Sequence, residues 1–489
     1  MNSTKSFNQV RRRFADNLVL KGCFLVAKTL LFTIVMLNNG TSVVNAAPQA
    51  LRSDIKIRKI MSTLSTISPS VRIAKDPRNN TLYYLKRNGE IYQVNLALST
   101  STLVYNSSNH KVGETQGMAI GPDGTIYLVG NADLVNDQTK AIIVKGVINS
   151  GTGVRIWSVL ATSAGYPKSK TAYDHRFNGV VVSPDGKFIY VNSGSRTDHG
   201  EVQSAGGLYP NTREVGLTAC ILRLPSNGQN LFLANNRATL KTSGYIFAEG
   251  TRNTFDMAFA SNGDLFGTEN GPDRDMSEEL NWLRLGHHYG FPWRIGGTDN
   301  PQQFPNYNPL KDLLLNPKFG AVTKGYYYND PSFPARPNIT LTEPIRNLGP
   351  DADSFRDPID GKVKDANVLG QTFSTFTAHR SPLGLIFETQ GAMSPEFNRN
   401  GFVLGWTPGD PTGETLAGPF KDPSQDLLDL KLIKVGTTNY QLQAKRIVQG
   451  FSNPIDTEII GNKIYVLEYG GIQGIWEISM PTKSVPKNK

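Results

Sequence analysis

The sequence predicts an all-β fold, a six-bladed β-propeller with a long loop insertion after the fourth blade, on three observations. A turn-and-strand unit recurs along the chain. No long apolar stretch follows residue 47. The 47 Gly and 29 Pro among 489 residues supply the many turns that short strands need.

The unit is a small-residue and apolar lead, a turn of the Pro-Asp-Gly kind and an Ile-Tyr-Val strand. It occurs at residues 117–129 (GMAIGPDGTIYLV), 179–191 (GVVVSPDGKFIYV) and 255–266 (FDMAFASNGDLF), with a degenerate copy at 455–466 (IDTEIIGNKIYV). A hairpin at residues 81–94, turning at Asn88-Gly89, supplies another blade, and residues 384–387 with 401–405 one more. Each copy makes two strands of a small antiparallel sheet that cannot bury both faces alone. Radial stacking of neighbours solves this, and irregular spacing between copies means loop insertions. A β-sandwich or a pair of barrels does not require such a repeat. Between about residues 290 and 371 the unit is absent and the chain turns Pro-, Asn- and Tyr-rich, as expected of an insertion that forms a binding surface.

Residues 1–46 read as a signal peptide: Arg11, Arg12 and Arg13, then Lys21 and Lys28, an apolar run from Leu30 to Leu37, and small residues fitting cleavage after Ala46. The apolar run is far shorter than the ~20 residues of a spanning helix. The expectation is an exported chain, periplasmic or secreted, with residues 47–489 as a single propeller domain and no stable membrane insertion after cleavage. Half of the formal charge of +10 leaves with the leader. What remains has no basic run interleaved with aromatics, which speaks against nucleic acid as a partner. Of the two cysteines, Cys23 and Cys220, only the second survives processing, so no intramolecular disulfide forms.

Six histidines do not space into a metal site. His175 stands out because Tyr173-Asp174-His175-Arg176 directly precedes an inner strand, where a neutral imidazole could take a proton from a hydroxyl; Asp174 could raise its pKa or fix its tautomer. Glu249-Gly250-Thr251-Arg252-Asn253 precedes the next inner strand and offers a cationic fork and an amide to a polyanionic or quinoid ligand; a surface arginine in a solvated turn is the competing explanation. Glu269-Asn270-Gly271-Pro272-Asp273-Arg274-Asp275 has the carbonyls and carboxylates that a hard cation takes, without the ladder of an EF-hand, so a solvated turn remains the alternative.

These segments, with Glu279-Leu280-Asn281, residues 288–293 (HYGFPW), 381–387 (SPLGLIF) and 402–406 (FVLGW), resemble the glucose/sorbosone dehydrogenase family, in order from about residue 110 to the end. The resemblance implies a quinoprotein, with pyrroloquinoline quinone (PQQ) on the top face of the propeller, held partly through Ca²⁺. It implies that His175 is the base that removes the anomeric hydroxyl proton of an aldose-type sugar, with Asp174 in support. By the same resemblance Arg252 sits beside the reactive quinone carbonyl, Asn253 helps hold the cofactor, and Gln116 is a shifted counterpart of a cofactor-contacting glutamine. Gly271 and Pro272 offer carbonyls to Ca²⁺, with Asp273 and Asp275 as helpers, and an external electron acceptor is required. The chain departs from the family at Trp406-Thr407-Pro408, where an arginine often follows the tryptophan. That leaves Arg294, Arg380 and lysines of residues 421–445 as substitutes in binding the cofactor's carboxylates. Two other functions compete: a non-catalytic carbohydrate- or ligand-binding propeller, and a calcium-dependent hydrolase using Glu269 and Asp275 as metal ligands.

Overall fold

The computed structural model describes residues 47–408 and 418–483. The leader read over residues 1–46 lies outside the described residues.

Among the described residues, six blades follow one another in chain order, each starting at its innermost strand: Ser70–Asp76, Thr115–Ile120, Phe177–Val182, Thr254–Phe259, Pro382–Phe387 and Pro454–Ile460. Every innermost strand packs beside the next, and the sixth beside the first, so the blades form a closed β-propeller around a channel. The recurring unit supplies the first two strands of blades 2, 3, 4 and 6, as its sequence predicts. Its turns need glycine where the backbone enters the left-handed region, at Gly124 (φ 80°) and Gly186 (φ 70°).

The apolar alternation buries both faces of each blade against its neighbours. Phe177, Val180 and Leu222 of blade 3 meet Tyr127, Val129 and Ile143 of blade 2. Leu385, Phe387 and Val403 of blade 5 meet Ala258, Phe266 and Leu280 of blade 4. Such seams run between every adjacent pair, the sixth and first included. Each fully buried Leu, Val or Phe contributes about 1.5–3 kcal/mol, so the ring is held at its seams.

Among the described residues, two strands lie upstream of the first recognisable repeat. Lys56–Ser62 pairs antiparallel with Gly474–Ser479 as the outermost strand of blade 6, and Gln49–Ala50 pairs with Asn439–Gln449 of blade 5. The insertion follows Glu279–Leu283, the third strand of blade 4, and joins its neighbours. Just before it, His287–His288 runs parallel to Ile246–Glu249 of blade 3, and within it Arg346–Pro350 runs parallel to Asn439–Gln449 of blade 5.

Arg72 crosses the channel. Its Nε donates to the Gln116 carbonyl and its Nη2 to the Phe255 carbonyl, both at 2.8 Å, with Asp256 and Asp456 at 3.6 and 3.9 Å. On the far side of this plug a cavity of about 240 Å³ is lined by the C-terminal halves of the inner strands, among them Lys75, Val182, Phe259 and Glu458. The residues singled out in the sequence, His175 and Arg252, precede these strands at the other end.

Candidate active site

His175, Arg252 and Arg380 each stand two residues before the innermost strand, of blades 3, 4 and 5 respectively. The symmetry of the propeller therefore carries three chemically capable side chains to the same mouth of the channel.

His175 and Arg252 are joined through Ser193-Gly194-Ser195, which ends the second strand of blade 3. The Ser195 amide donates to the Arg252 carbonyl (2.6 Å), and the Ser195 carbonyl accepts from the His175 amide (3.0 Å). The approach is tight: a Cβ on Gly194 would lie 2.5 Å from the His175 Cβ and 3.3 Å from the Arg252 carbonyl oxygen. His175 Nδ1 faces the Ser195 carbonyl and Oγ, both at 3.2 Å. The Ser195 hydroxyl donates to the Thr197 carbonyl, so both Ser195 oxygens act as acceptors and the imidazole proton belongs on Nδ1. That leaves Nε2 with its lone pair and no hydrogen-bond partner among the described residues. Burial first, and then the charge of Arg252, press the His175 pKa down to about 3, so the ring is neutral.

Asp174, expected to support His175, does not touch it. Its carboxylate accepts from the Ser169 and Lys170 amides at 2.6 and 2.9 Å and anchors the preceding loop. Ser195 has the orienting role.

Arg252 is buried and fixed by Asp198. Nε donates to the Asp198 carbonyl (2.6 Å), Nη2 to Asp198 Oδ1 (2.9 Å) and Nη1 to the Asn270 carbonyl (3.1 Å). The backbone amides of Arg252 and Asn253 both donate to Glu269 Oε1. The Asn253 side chain lies between Asn178 (2.9 Å) and Asn270 (3.1 Å). Gln116 keeps its side-chain amide without a hydrogen bond among the described residues, its carbonyl being taken by Arg72.

The turn after Glu269 differs from the expectation. Asp273 accepts from the Tyr173 hydroxyl (2.5 Å) and the Ala321 amide (2.9 Å). Asp275 is clasped by Arg356 (2.6 Å) and His379 (2.8 Å). Asp275 thus has both oxygens engaged, whereas Asp273 engages only Oδ2 and its Oδ1 accepts no hydrogen bond among the described residues. The Pro272 carbonyl accepts from the Arg274 amide. No group of three or more His, Cys, Asp or Glu among the described residues is arranged to hold a metal ion. Glu278, which the sequence places just behind this turn without assigning it a role, is the group that stands out in the structure. It is buried, its Oε2 has no hydrogen-bond partner, and a Cβ on Gly271 would lie 3.4 Å from its Cγ. Burial, opposed by His379 and Arg380, brings its pKa up to about 7.

The substitute arginines are also engaged. Arg380 is clasped by Asp422 and, at 2.5 Å, by Asp426. Arg294 pairs with Glu343 (2.6 Å) and Asp299 (3.0 Å). Residues 409–411 of the altered fifth-blade motif lie outside the described residues.

Residues 79–312 match the glucose/sorbosone dehydrogenase family. The matched segment contains His175, Arg252 and the Gly271-Pro272 turn. A curated relative, quinoprotein glucose dehydrogenase B of Acinetobacter calcoaceticus, is 31% identical over 172 residues, 31% of this chain and 34% of that protein, so the match spans about a third of the relative's length. Among solved structures, a glucose dehydrogenase superposes with a TM-score of 0.53 at 12% identity, covering 87% of this chain and all of that one. The PQQ domain of pyranose dehydrogenase from Coprinopsis cinerea, in its holo form, gives 0.52 at 12% identity, covering 88% and 97%. These likenesses show the propeller fold. No helix among the described residues is long and apolar enough to cross a membrane.

Proposed function

We propose that the chain is an exported quinoprotein oxidoreductase that oxidises the anomeric hydroxyl of an aldose-type sugar, with PQQ as the bound acceptor, Ca²⁺ as the ion that holds it, and an external acceptor for the electrons. The observation that supports it most is the His175 tautomer: Nδ1–H is committed to Ser195, so Nε2 is available to take a proton. The family match of residues 79–312 and the PQQ-binding relatives agree with this reading.

The residues fit the reactive end of such a cofactor. Arg252 supplies a fixed positive charge, Asn253 an ordered amide and Gln116 an unspent one, next to the base. The orphaned Glu278 oxygen beside Gly271 fits a hard cation. PQQ, when bound, supplies the acceptor for the hydride that leaves the anomeric carbon, and Ca²⁺ the Lewis acid that polarises it. In that step His175 Nε2 takes the hydroxyl proton, and Nδ1–H stays on Ser195 as the ring becomes charged. Arg252 stabilises negative charge that develops beside it. A base held near pKa 3 is mismatched to this task, and an anionic ligand against Arg252 would raise it.

One observation favours a second reading, a ligand-binding propeller without turnover: Arg252, Arg294 and Arg380 already have carboxylate partners, which leaves none of the three free for the carboxylates of the cofactor. The test is to incubate residues 47–489 with Ca²⁺ and PQQ, add a panel of aldoses and follow the quinone absorbance. Reduction in the wild type that is lost in His175→Ala, with cofactor still bound, is the expected result. Failure of the wild type to bind PQQ in the presence of Ca²⁺ would overturn it in favour of the binding module.

A further inference from the structure

Asp198 lies in the loop after the second strand of blade 3, in none of the segments that carry the family resemblance, and its side chain is completely buried. One carboxylate there collects four donors. Oδ1 accepts from Arg252 Nη2 (2.9 Å) and the Asp273 amide (3.0 Å), while Oδ2 faces His199 Nδ1 (2.9 Å) and the Tyr327 hydroxyl (3.2 Å). The backbone carbonyl of the same residue takes Arg252 Nε. Arg252 is thus gripped twice by one residue, which fixes both the direction and the roll of its guanidinium.

His199 backs this grip. Its ring is buried and stacked on Tyr327, with centroids 3.7 Å apart. Its Nε2 faces Gln302 Oε1 (3.1 Å), an oxygen that also accepts from the Tyr328 amide and so acts as an acceptor toward the ring. Its Nδ1 faces an Asp198 carboxylate that already has two other N–H donors and a hydroxyl. Both ring nitrogens look only at acceptors, with Glu201 Oε2 a further 3.5 Å contact, so the geometry requires N–H on both. Asp198 and Glu201 thus both face His199, and Asp198 faces Arg252 as well. Gln302 and Tyr327 both belong to the insertion.

We propose that Asp198, held by an imidazolium at His199 and by Tyr327 of the insertion, is the positioning residue for Arg252, so that the insertion completes the reactive face from behind. What Arg252 faces rests on the dehydrogenase reading; the charge of His199 does not. In the mature protein labelled with ¹⁵N-histidine, an imidazole signal with both nitrogens protonated is expected at pH 7.5 that is lost in His199→Gln. A neutral His199 overturns the proposal whether or not any quinone binds. In PQQ-loaded protein, Asp198→Asn is expected to lower kcat about a hundredfold, the effect of a 1 Å misplacement, with KM for the sugar within about threefold. Unchanged kcat in a folded Asp198→Asn protein refutes the positioning role. If that variant does not fold, Tyr327→Phe decides: a fall in kcat at constant KM supports the grip and unchanged kcat overturns it. A wild type that never reduces the quinone would remove the dehydrogenase reading, and the histidine signal would still decide whether Asp198 is held as proposed.

Discussion

Gly194→Ala tests whether the close link between His175 and Arg252 through Gly194 and Ser195 matters. The new Cβ would start 2.5 Å from the His175 Cβ, whereas carbon atoms rest about 3.5–4.0 Å apart, so something must yield by about 1 Å. The Arg252 and Arg176 carbonyl oxygens, at 3.3 and 3.4 Å, block escape on the other side. His175 cannot swing away freely, because its amide is bonded to Ser195 and the next residues enter the innermost strand. Overpacking of this kind costs about 1–3 kcal/mol of stability, and a base displaced by about 1 Å costs about a hundredfold in turnover. The assay is quinone reduction by the PQQ-loaded protein, with denaturant unfolding measured in parallel to count only folded enzyme. Gly113→Ala is the control, since a Cβ there meets nothing within 4 Å. If Gly194→Ala keeps turnover within about threefold of wild type, the spacing across Gly194 is irrelevant to function and the site has been built from the wrong contacts.

Two further outcomes can be checked. Glu278→Gln should weaken Ca²⁺ binding, measured by calorimetry on protein without quinone, by about tenfold or more, equivalent to about 1.4 kcal/mol; equal affinity would mean that the orphaned oxygen is no ligand. Burial brings the Glu279 pKa up from 4.5 to about 8 and that of Asp429 from 3.8 to about 7. Above the unfolded values the folded state binds more protons than the unfolded one, so stability present at low pH is lost as pH rises through about 8, by up to about 1.4 kcal/mol per pH unit per group. Unfolding free energies across pH 5 to 8.5 should fall with pH, and less steeply in Glu279→Gln; a slope unaffected by that change would contradict the burial argument.

The blades were legible where the signal is local. A lead, a Pro-Asp-Gly turn and a strand lie within 13 residues, so periodicity and turn chemistry reveal them together. Lys56–Ser62 was not legible, because its partner Gly474–Ser479 is some 400 residues away and nothing in the local pattern names it. At the site, His175 and Arg252-Asn253 stood out by their place before inner strands. Ser195 and Asp198 did not, because small and acidic residues after a strand look like an ordinary turn and their partners are distant in sequence. The acidic residues Asp273 and Asp275 were legible as acids but not as acids already in use, since Tyr173, Arg356 and His379 reach them only in the folded ring. Asp174 illustrates the same limit: adjacency in sequence to His175 says nothing about where a carboxylate turns.

The strands that complete blades 5 and 6 come from residues 49–62, while those they join come from residues 439–479. A chain emerging N-terminus first makes four blades before its own first strands have anything to pair with. During that interval Lys56–Ser62 is an orphan β segment of the kind that recruits the wrong neighbour. Its sequence, KIRKIMS, places Lys56, Arg58 and Lys59 among its apolar residues, and charge on an unpaired strand is how proteins discourage edge-to-edge association. Closing the last seam is a contact of very long sequence separation and belongs to the slow end of folding. Trimming a few residues from either side of that seam should therefore leave five well-formed blades and a molecule that sticks to its copies.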